Sequence, residues 1–454
     1  MSAFILILLI FIFVFVSPPI VFAGAGAESD EGVSPDRVAR LRADVESARS
    51  LTYRTDLQTV IIEAEAMRGV AQRLMEREGM TAGRIAATDK VMHAFGLLGD
   101  NDDLAAIMDA LLSEQIAGLY DPGDKILYVV KDALSMSGAV ASLPGMKDFN
   151  MIDFVMTHEM EHALQDQHFD LTRLTGMRAL NEDSAMALKS VAEGDAMAVS
   201  LNIVFKGMGV DILKAPELSE TFEAMALQSG NSELGDFKDF PIVIKNQMIF
   251  PYARGIRFIA ALNRAGGWDK VNTAFEKPPN STEQIIHPEK YLDKRDNPLM
   301  VTLPDPAACA PDGAMLLDSN VLGEFHTWQL LLTLLGDEGK ARAEDAAAGW
   351  GGDRFAAFEF PDGAVTLLWL AVWDTPADAR EFFNAYSDGL SLHHNALAPA
   401  ADAERFTWQA PCGQGVLVLS KERTAMTQCV PSERIDSCLQ RMLQAAVSPM
   451  KIED

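Results

Sequence analysis

Cysteine is scarce in this chain of 454 residues and is confined to its last third. The four cysteines are Cys309, Cys412, Cys429 and Cys438, and no two of them stand at C-x-x-C spacing. A zinc site with cysteine ligands is therefore not expected, because such sites are built on closely spaced thiolates.

Basic residues are also few: 38 lysines and arginines stand against 65 acidic residues, and the net charge is −27. This charge argues against nucleic acid as a partner. One long apolar run is present, at residues 3–16, followed by small residues at A-x-A spacing around Ala23 and Ala25. The pattern predicts a cleaved signal peptide over residues 1–23 and a secreted or periplasmic protein, with an N-terminal membrane anchor as the alternative. No other stretch is long and apolar enough to span a bilayer, so stable membrane insertion is not expected after cleavage.

Export of the protein would place the cysteines in an oxidising compartment. An even number of cysteines in an exported protein predicts up to two disulfides, here within the C-terminal part of the chain. Three connectivities are open. We favour Cys412–Cys429 with Cys309–Cys438, because short predicted strands bring Cys412 and Cys429 into one neighbourhood.

Histidine is rare too, with eight in the chain, yet two occur in the run His158-Glu159-Met160-Glu161-His162. Residues four apart share one face of a helix, so the two imidazoles can supply half of a tetrahedral zinc site. Glu159 lies beside them, where a carboxylate can take a proton from a metal-bound water. The surrounding helix is apolar on nearly every side, and buried His and Glu need a partner such as a cation. The alternative interpretation is a solvated patch of His and Glu.

Zinc needs a third protein ligand, and two carboxylates compete for this role. Glu193 is expected in mid-helix among apolar residues, where a carboxylate needs a partner. Glu182 is expected at a helix N-terminus, where capping alone explains it. We favour Glu193 and leave Glu182 as the alternative. Asp166 and Asp195 are candidates for orienting a ligating histidine.

A zinc hydrolase also needs a hydrogen-bond donor for the oxygen that becomes negative during the reaction. Our candidate is His287, which precedes a proline, so that its backbone is extended and its ring can project from a loop. Tyr291, Tyr252 and Arg254 are rivals, and simple packing of the loop by His287 is the structural alternative.

The succession of elements predicts an α+β fold. A mainly helical catalytic domain is expected over residues 28–295, a proline-containing linker over 296–312, and a smaller α+β domain over 313–454. A β-hairpin is predicted around Pro122-Gly123. Its second strand, Ile126–Val130, is expected to be the sheet edge along which an extended peptide lies.

Several motifs in residues 115–380 resemble exported bacterial zinc metallopeptidases of the gluzincin type. The run His158–Asp170 with Glu193–Ala196 carries the resemblance, and weaker likeness lies in Leu119–Pro122, Pro279–Pro288 and Gly349–Arg354. The resemblance implies a zincin-like fold and a zinc hydrolase, and it favours Glu193 over Glu182 as a ligand. The chain departs from better-known gluzincins at Met197, where those proteins often carry an aspartate that orients a ligating histidine.

Together these observations predict a secreted zinc-dependent metallopeptidase. His158, His162 and Glu193 would bind Zn²⁺, Glu159 would activate a zinc-bound water, and a peptide or protein would be the substrate. Two alternatives remain open. One is a zincin-fold amidase, esterase or inactive zinc-binding relic, and the other is a non-enzymatic exported binding protein.

Overall fold

The computed structural model describes residues 34–113, 116–131, 150–178, 181–206, 209–230, 239–400 and 402–450. The predicted signal peptide at residues 1–23 lies outside the described residues. The fold is α+β, as predicted. Within the parts of the chain that the structure describes, every helix is too short or too polar to cross a bilayer.

The first part of the chain is mainly helical and carries one small sheet. Its helices are α1 (Pro35–Arg49), α2 (Ala64–Arg77), α3 (Ala82–Phe95), α4 (Leu104–Ser113), α5 (Met151–Phe169), α6 (Leu171–Arg178), α7 (Glu182–Phe205), α8 (Pro216–Gly230), α9 (Ile242–Glu276), α10 (Thr282–Ile286) and α11 (Glu289–Leu292). Its strands are β1 (Gln58–Ile62), β2 (Gly118–Asp121) and β3 (Ile126–Val130).

The second part is built around a six-stranded sheet. The strands of that sheet are β5 (Met315–Asn320), β6 (Trp350–Glu359), β7 (Val365–Trp373), β8 (Arg405–Ala410), β9 (Gly413–Ser420) and β10 (Arg423–Gln428). Strands β4 (Leu299–Thr302) and β11 (Ala446–Pro449) pair with each other in a separate two-stranded sheet. Its helices are α12 (Gly323–Leu335), α13 (Lys340–Ala347), α14 (Pro376–His393) and α15 (Ile435–Leu443).

The small sheet has the strand order β1-β3-β2, with β1 parallel and β2 antiparallel to β3. The prediction that Ile126–Val130 forms an edge is therefore wrong, because both of its sides are paired. The missing partner is β1, which pairs Val60 with Tyr128 across a long separation in sequence. The edge that lies against α5 is β2.

Helix α5 is buried between several elements, as its apolar sequence predicts. Its N-terminus is capped by the Asn150 side chain, which accepts from the backbone N–H groups of Ile152 and Asp153. Met156 and Met160 pack with α1 and the hairpin in one apolar cluster, and Phe154 packs into the larger core. The remaining face of α5 lies against α7.

Helices α7 and α9 cross with their backbones in contact. A Cβ placed on Gly194 would lie 2.2 Å from the carbonyl carbon of Gly255, and one on Gly255 would lie 2.3 Å from the backbone oxygen of Ser190. Only glycine fits at either position, since no side chain has room there. Helix α9 therefore passes α7 next to Glu193, which precedes Gly194 in the chain.

The large sheet has the order β5-β6-β7-β10-β9-β8 and is antiparallel throughout. Strand β7 is buried on both faces, and its side chains alternate between two cores. Trp369 points into the core shared with the helical part, where it meets Phe95 of α3 with ring centroids 5.9 Å apart. Leu370 points into a smaller core with α15. The two parts of the chain thus share buried surface.

Two disulfides join Cys309 to Cys438 and Cys412 to Cys429. The predicted connectivity is confirmed, and the bonds fit a protein of an oxidising compartment outside the cytosol. Residues 296–312, predicted as a linker, contribute β4 and Cys309 to the packed structure. The division into domains stays a prediction.

Candidate metal centre

Two buried helices bring three candidate ligands to one point. His158 and His162 are one turn apart on α5, and Glu193 faces them from the middle of α7. Nε2 of His158 lies 2.9 Å from Nε2 of His162 and 3.2 Å from Oε2 of Glu193. Nε2 of His162 lies 3.3 Å from the same oxygen. All three side chains are at least 95 % buried.

These distances suit a zinc ion. Two ligand atoms, each about 2.0–2.1 Å from a tetrahedral ion, lie about 3.3 Å apart. Two imidazoles and one carboxylate are a donor set that zinc accepts, and the three ligand atoms face one another with no side chain between them. The residues present therefore fit the expected metal.

The electrostatics of the three groups are strongly coupled. Burial lowers the pKa of His158 to about 3, so its imidazole is neutral. Burial would also lower the pKa of His162, but the Glu193 carboxylate outweighs burial and raises that pKa to about 9. Burial would raise the pKa of Glu193, but the charge on His162 and the hydrogen bonds of both histidines hold it below its usual range. The centre thus favours a carboxylate with a positive charge beside it.

Glu159 lies next to the ligands, and the edge strand β2 holds its carboxylate. Its Oε2 accepts from the backbone N–H of Tyr120 at 2.7 Å. Its Oε1 is buried and accepts no hydrogen bond from any described residue. Burial raises the pKa of Glu159 to about 7. Strand and helix approach closely at Gly118, where a Cβ would lie 3.0 Å from Cγ1 of Val155.

Tyr252 of α9 also lies beside the ligands. Its ring centroid lies 6.2 Å from that of His158, and its hydroxyl is hydrogen-bonded to Glu193. Burial and the charge of Glu193 raise the pKa of Tyr252 well above its usual range, so the hydroxyl is a donor at neutral pH. Tyr252 is one turn before Gly255, and the close helix crossing therefore sets its position.

A second layer of buried polar groups lies behind His162. Gln165 bonds the ring at Nδ1, and Asp195 bonds both Gln165 and the guanidinium of Arg49. Glu161 lies 3.5 Å from the same guanidinium. Burial raises the pKa of both Glu161 and Asp195. Asp195 was expected from the sequence as an orienting residue, whereas Gln165 and Arg49 were not.

The residues considered as hydrogen-bond donors to the substrate oxygen lie in different places in the structure. Nε2 of His287 lies 2.9 Å from Oε1 of Glu324. Glu324 in turn lies near Asp183, at the N-terminal end of α7, and its charge contributes to raising the pKa of that residue. Asp183 and Glu193 are ten residues apart on α7, about 15 Å along the axis. Tyr291 donates to a backbone carbonyl of Lys277. Of the rivals, Tyr252 is the one placed against the ligands.

The remaining candidates have other partners. Arg254 pairs with Glu223 of α8 at 2.5 Å. Glu182 is the first residue of α7 and lies eleven residues before Glu193 along the helix. Its backbone N–H donates to the side chain of Asn320. Asp166 accepts from the Tyr120 hydroxyl at 2.7 Å and ties the hairpin to α5.

A second group of acids, Glu283, Asp296 and Asp374, also lies close enough together to hold a cation. The Lys290 ammonium already lies among them, 2.5 Å from Glu283, 3.3 Å from Asp296 and 3.0 Å from Asp374. This cluster is an ion-pair network that joins α11 to the C-terminal part.

Comparison with known proteins gives one finding. Residues 314–435 match the model of a domain of unknown function, DUF8575. The match runs from the start of β5 to the start of α15 and does not include the metal centre. Neither the curated proteins nor the solved structures contain a match to this chain.

Proposed function

We propose that this protein is an exported zinc-dependent hydrolase that cleaves peptide bonds. The observation that carries the proposal is the convergence of His158, His162 and Glu193 within hydrogen-bond distance of one another, with Glu159 beside them. The zincin-like fold suggested by the motif, and export through a cleaved signal peptide, belong to the same proposal. The two disulfides support the export.

His158, His162 and Glu193 would hold the ion. A zinc ion in this place supplies a Lewis acid that polarises a carbonyl and lowers the pKa of a water. Glu159 takes the proton of the attacking water on its Oε1 and passes it to the leaving nitrogen. The Tyr120 N–H holds Oε2 and so keeps Oε1 turned away from the strand.

For the donor to the carbonyl oxygen, the contacts favour Tyr252 over His287. The Tyr252 hydroxyl is neutral, lies against His158 and Glu193, and belongs to a side chain that is only partly exposed. As negative charge develops on the substrate oxygen, this hydroxyl can shift its hydrogen bond from Glu193 to that oxygen. Tyr252→Phe should lower kcat while zinc content stays unchanged.

The first test is the metal itself. Elemental analysis of the dialysed protein should find about one zinc per chain, and His158→Ala should remove it. A wild-type protein without bound metal, and unable to take up zinc, would overturn the proposal.

The second test separates the base from the ligands. Glu159→Gln should keep the zinc but lose nearly all hydrolysis of a proteome-derived peptide library, because an amide cannot accept the proton. Glu182→Gln is the matched control, since it makes the same change at another buried glutamate outside the ligand cluster. It should keep both zinc and activity. Equal activity of Glu159→Gln and wild type would exclude Glu159 as the base.

A further inference from the structure

We propose that Gln165 is a positioning residue that holds the His162 imidazole in its Nδ1–H form, so that Nε2 faces Glu193 and His158. Asp195 and Arg49 hold the Gln165 amide in the orientation this requires. The inference rests on the proposed metal centre and adds residues from α1, α5 and α7 that the proposed mechanism does not use.

The amide of Gln165 can adopt one orientation only. Its Nε2 donates to the backbone carbonyl of Ala192 at 3.0 Å and to Oδ2 of Asp195 at 3.2 Å. Both partners are acceptors, so the NH₂ group must face them, and the carbonyl oxygen must face His162. That oxygen lies 3.0 Å from Nδ1 of His162.

A carboxamide oxygen accepts hydrogen bonds and cannot donate them. Nδ1 of His162 must therefore carry a proton. In a neutral imidazole the lone pair is then on Nε2, the atom that lies 3.3 Å from Glu193. The chain thus selects the nitrogen that binds the metal through a bond on the opposite side of the ring.

Asp195 is itself fixed by a cation. Nε of Arg49 lies 3.0 Å from both carboxylate oxygens of Asp195. The guanidinium also donates to Asn272 at 2.8 Å and stacks on the Trp268 ring at 4.5 Å. Arg49 is fully buried, and these contacts hold its Nε and one of its terminal nitrogens. A continuous set of buried polar contacts thus joins α1 to His162 through Asp195 and Gln165.

The choice of a neutral acceptor has an electrostatic reason. Glu159, Glu161, Glu193 and Asp195 already place four carboxyl groups in this buried region. A carboxylate at position 165 would add another negative charge and lose the donors that bond Ala192 and Asp195. An amide orients the ring without that cost.

The test compares Gln165→Met with Gln167→Met, which makes the same change two residues further along α5, where the side chain bonds the Arg54–Thr55 loop instead. Chelator competition should show zinc affinity about 10- to 100-fold lower in Gln165→Met, because an unheld ligating histidine binds more weakly. Gln167→Met should bind zinc as the wild type does. Equal zinc affinity of Gln165→Met and wild type would overturn the inference.

A second measurement needs no variant. In the zinc-loaded wild type with ¹⁵N-labelled histidine, long-range proton–nitrogen correlation should show His162 protonated at Nδ1 and bound through Nε2. Binding through Nδ1 would overturn the inference even if the peptidase assay succeeds. Conversely, a zinc-loaded protein that shows the expected form of His162 but cleaves no peptide would contradict the proposed function and leave this inference intact.

Discussion

The crossing of α7 and α9 makes Gly255→Ala a sensitive test of the site. The new methyl group would lie 2.3 Å from the backbone oxygen of Ser190, whereas real Cβ atoms essentially never approach closer than 3.0 Å. Helix α9 must therefore retreat by about 0.7 Å or more at this point. Tyr252 is one turn away on the same face and should move with it.

Two effects should follow from this shift. Overpacking at a buried crossing costs about 1–3 kcal/mol, which thermal unfolding can measure. A displacement of a catalytic group by about 1 Å can lower a rate about 100-fold. The zinc should stay, because its ligands lie on α5 and α7 and not on α9. We therefore expect kcat on a peptide found by library digestion to fall 10- to 100-fold while zinc content remains about one per chain.

The matched control is Gly83→Ala in α3. A Cβ at Gly83 meets no atom within 4 Å, so the same substitution should stabilise the protein by about 0.5–1 kcal/mol and leave the rate unchanged. Hydrolysis of peptides by Gly255→Ala at the wild-type rate would show that the helix crossing does not position Tyr252 for catalysis. Loss of zinc together with activity would show instead that the crossing positions Glu193 more than Tyr252.

Three further outcomes follow. Glu193→Gln should weaken zinc binding by orders of magnitude in a chelator titration, whereas Glu182→Gln should not; the reverse would make Glu182 the ligand. Reducing the disulfides should destabilise the C-terminal part by about 2–4 kcal/mol per bond, measured by calorimetry, without releasing zinc. Burial lowers the pKa of His326 from 6.5 to about 4. Between these two pH values the unfolded chain binds a proton at this residue and the folded protein does not, so lowering the pH favours unfolding. Stability should therefore fall by about 2 kcal/mol between pH 7.5 and 5, and His326→Gln should lack this component.

Local patterns predicted the parts of the fold that local interactions decide. The hairpin around Pro122-Gly123 and the helix that carries His158 follow from turn chemistry and apolar periodicity. Strand β1 was missed because Gln58–Ile62 is short and half exposed, and its partner β3 lies more than 60 residues away. The local sequence of either strand does not show that it pairs with a strand so far away in the chain.

The candidate site shows the same division. The two histidines lie one turn apart on one helix, so their meeting could be predicted from spacing alone. The contact between Gln165 and His162 could also have been predicted from spacing, because residues three apart in sequence are neighbours on one face of a helix. The contact of Arg49 could not, since it comes from a helix more than a hundred residues before its partner Asp195. Tyr252 was named only as a rival, because its role depends on how α9 crosses α7.

The position of Arg49 limits how this protein can be matured by proteolysis. Many secreted hydrolases are made with an N-terminal segment that is cut away on activation. Arg49 closes α1, and its guanidinium lies between the buried carboxyl groups of Glu161 and Asp195. A cut after this residue that released α1 would leave those acids without their cation. We therefore expect any activating cleavage of this protein to leave helix α1 attached to the fold.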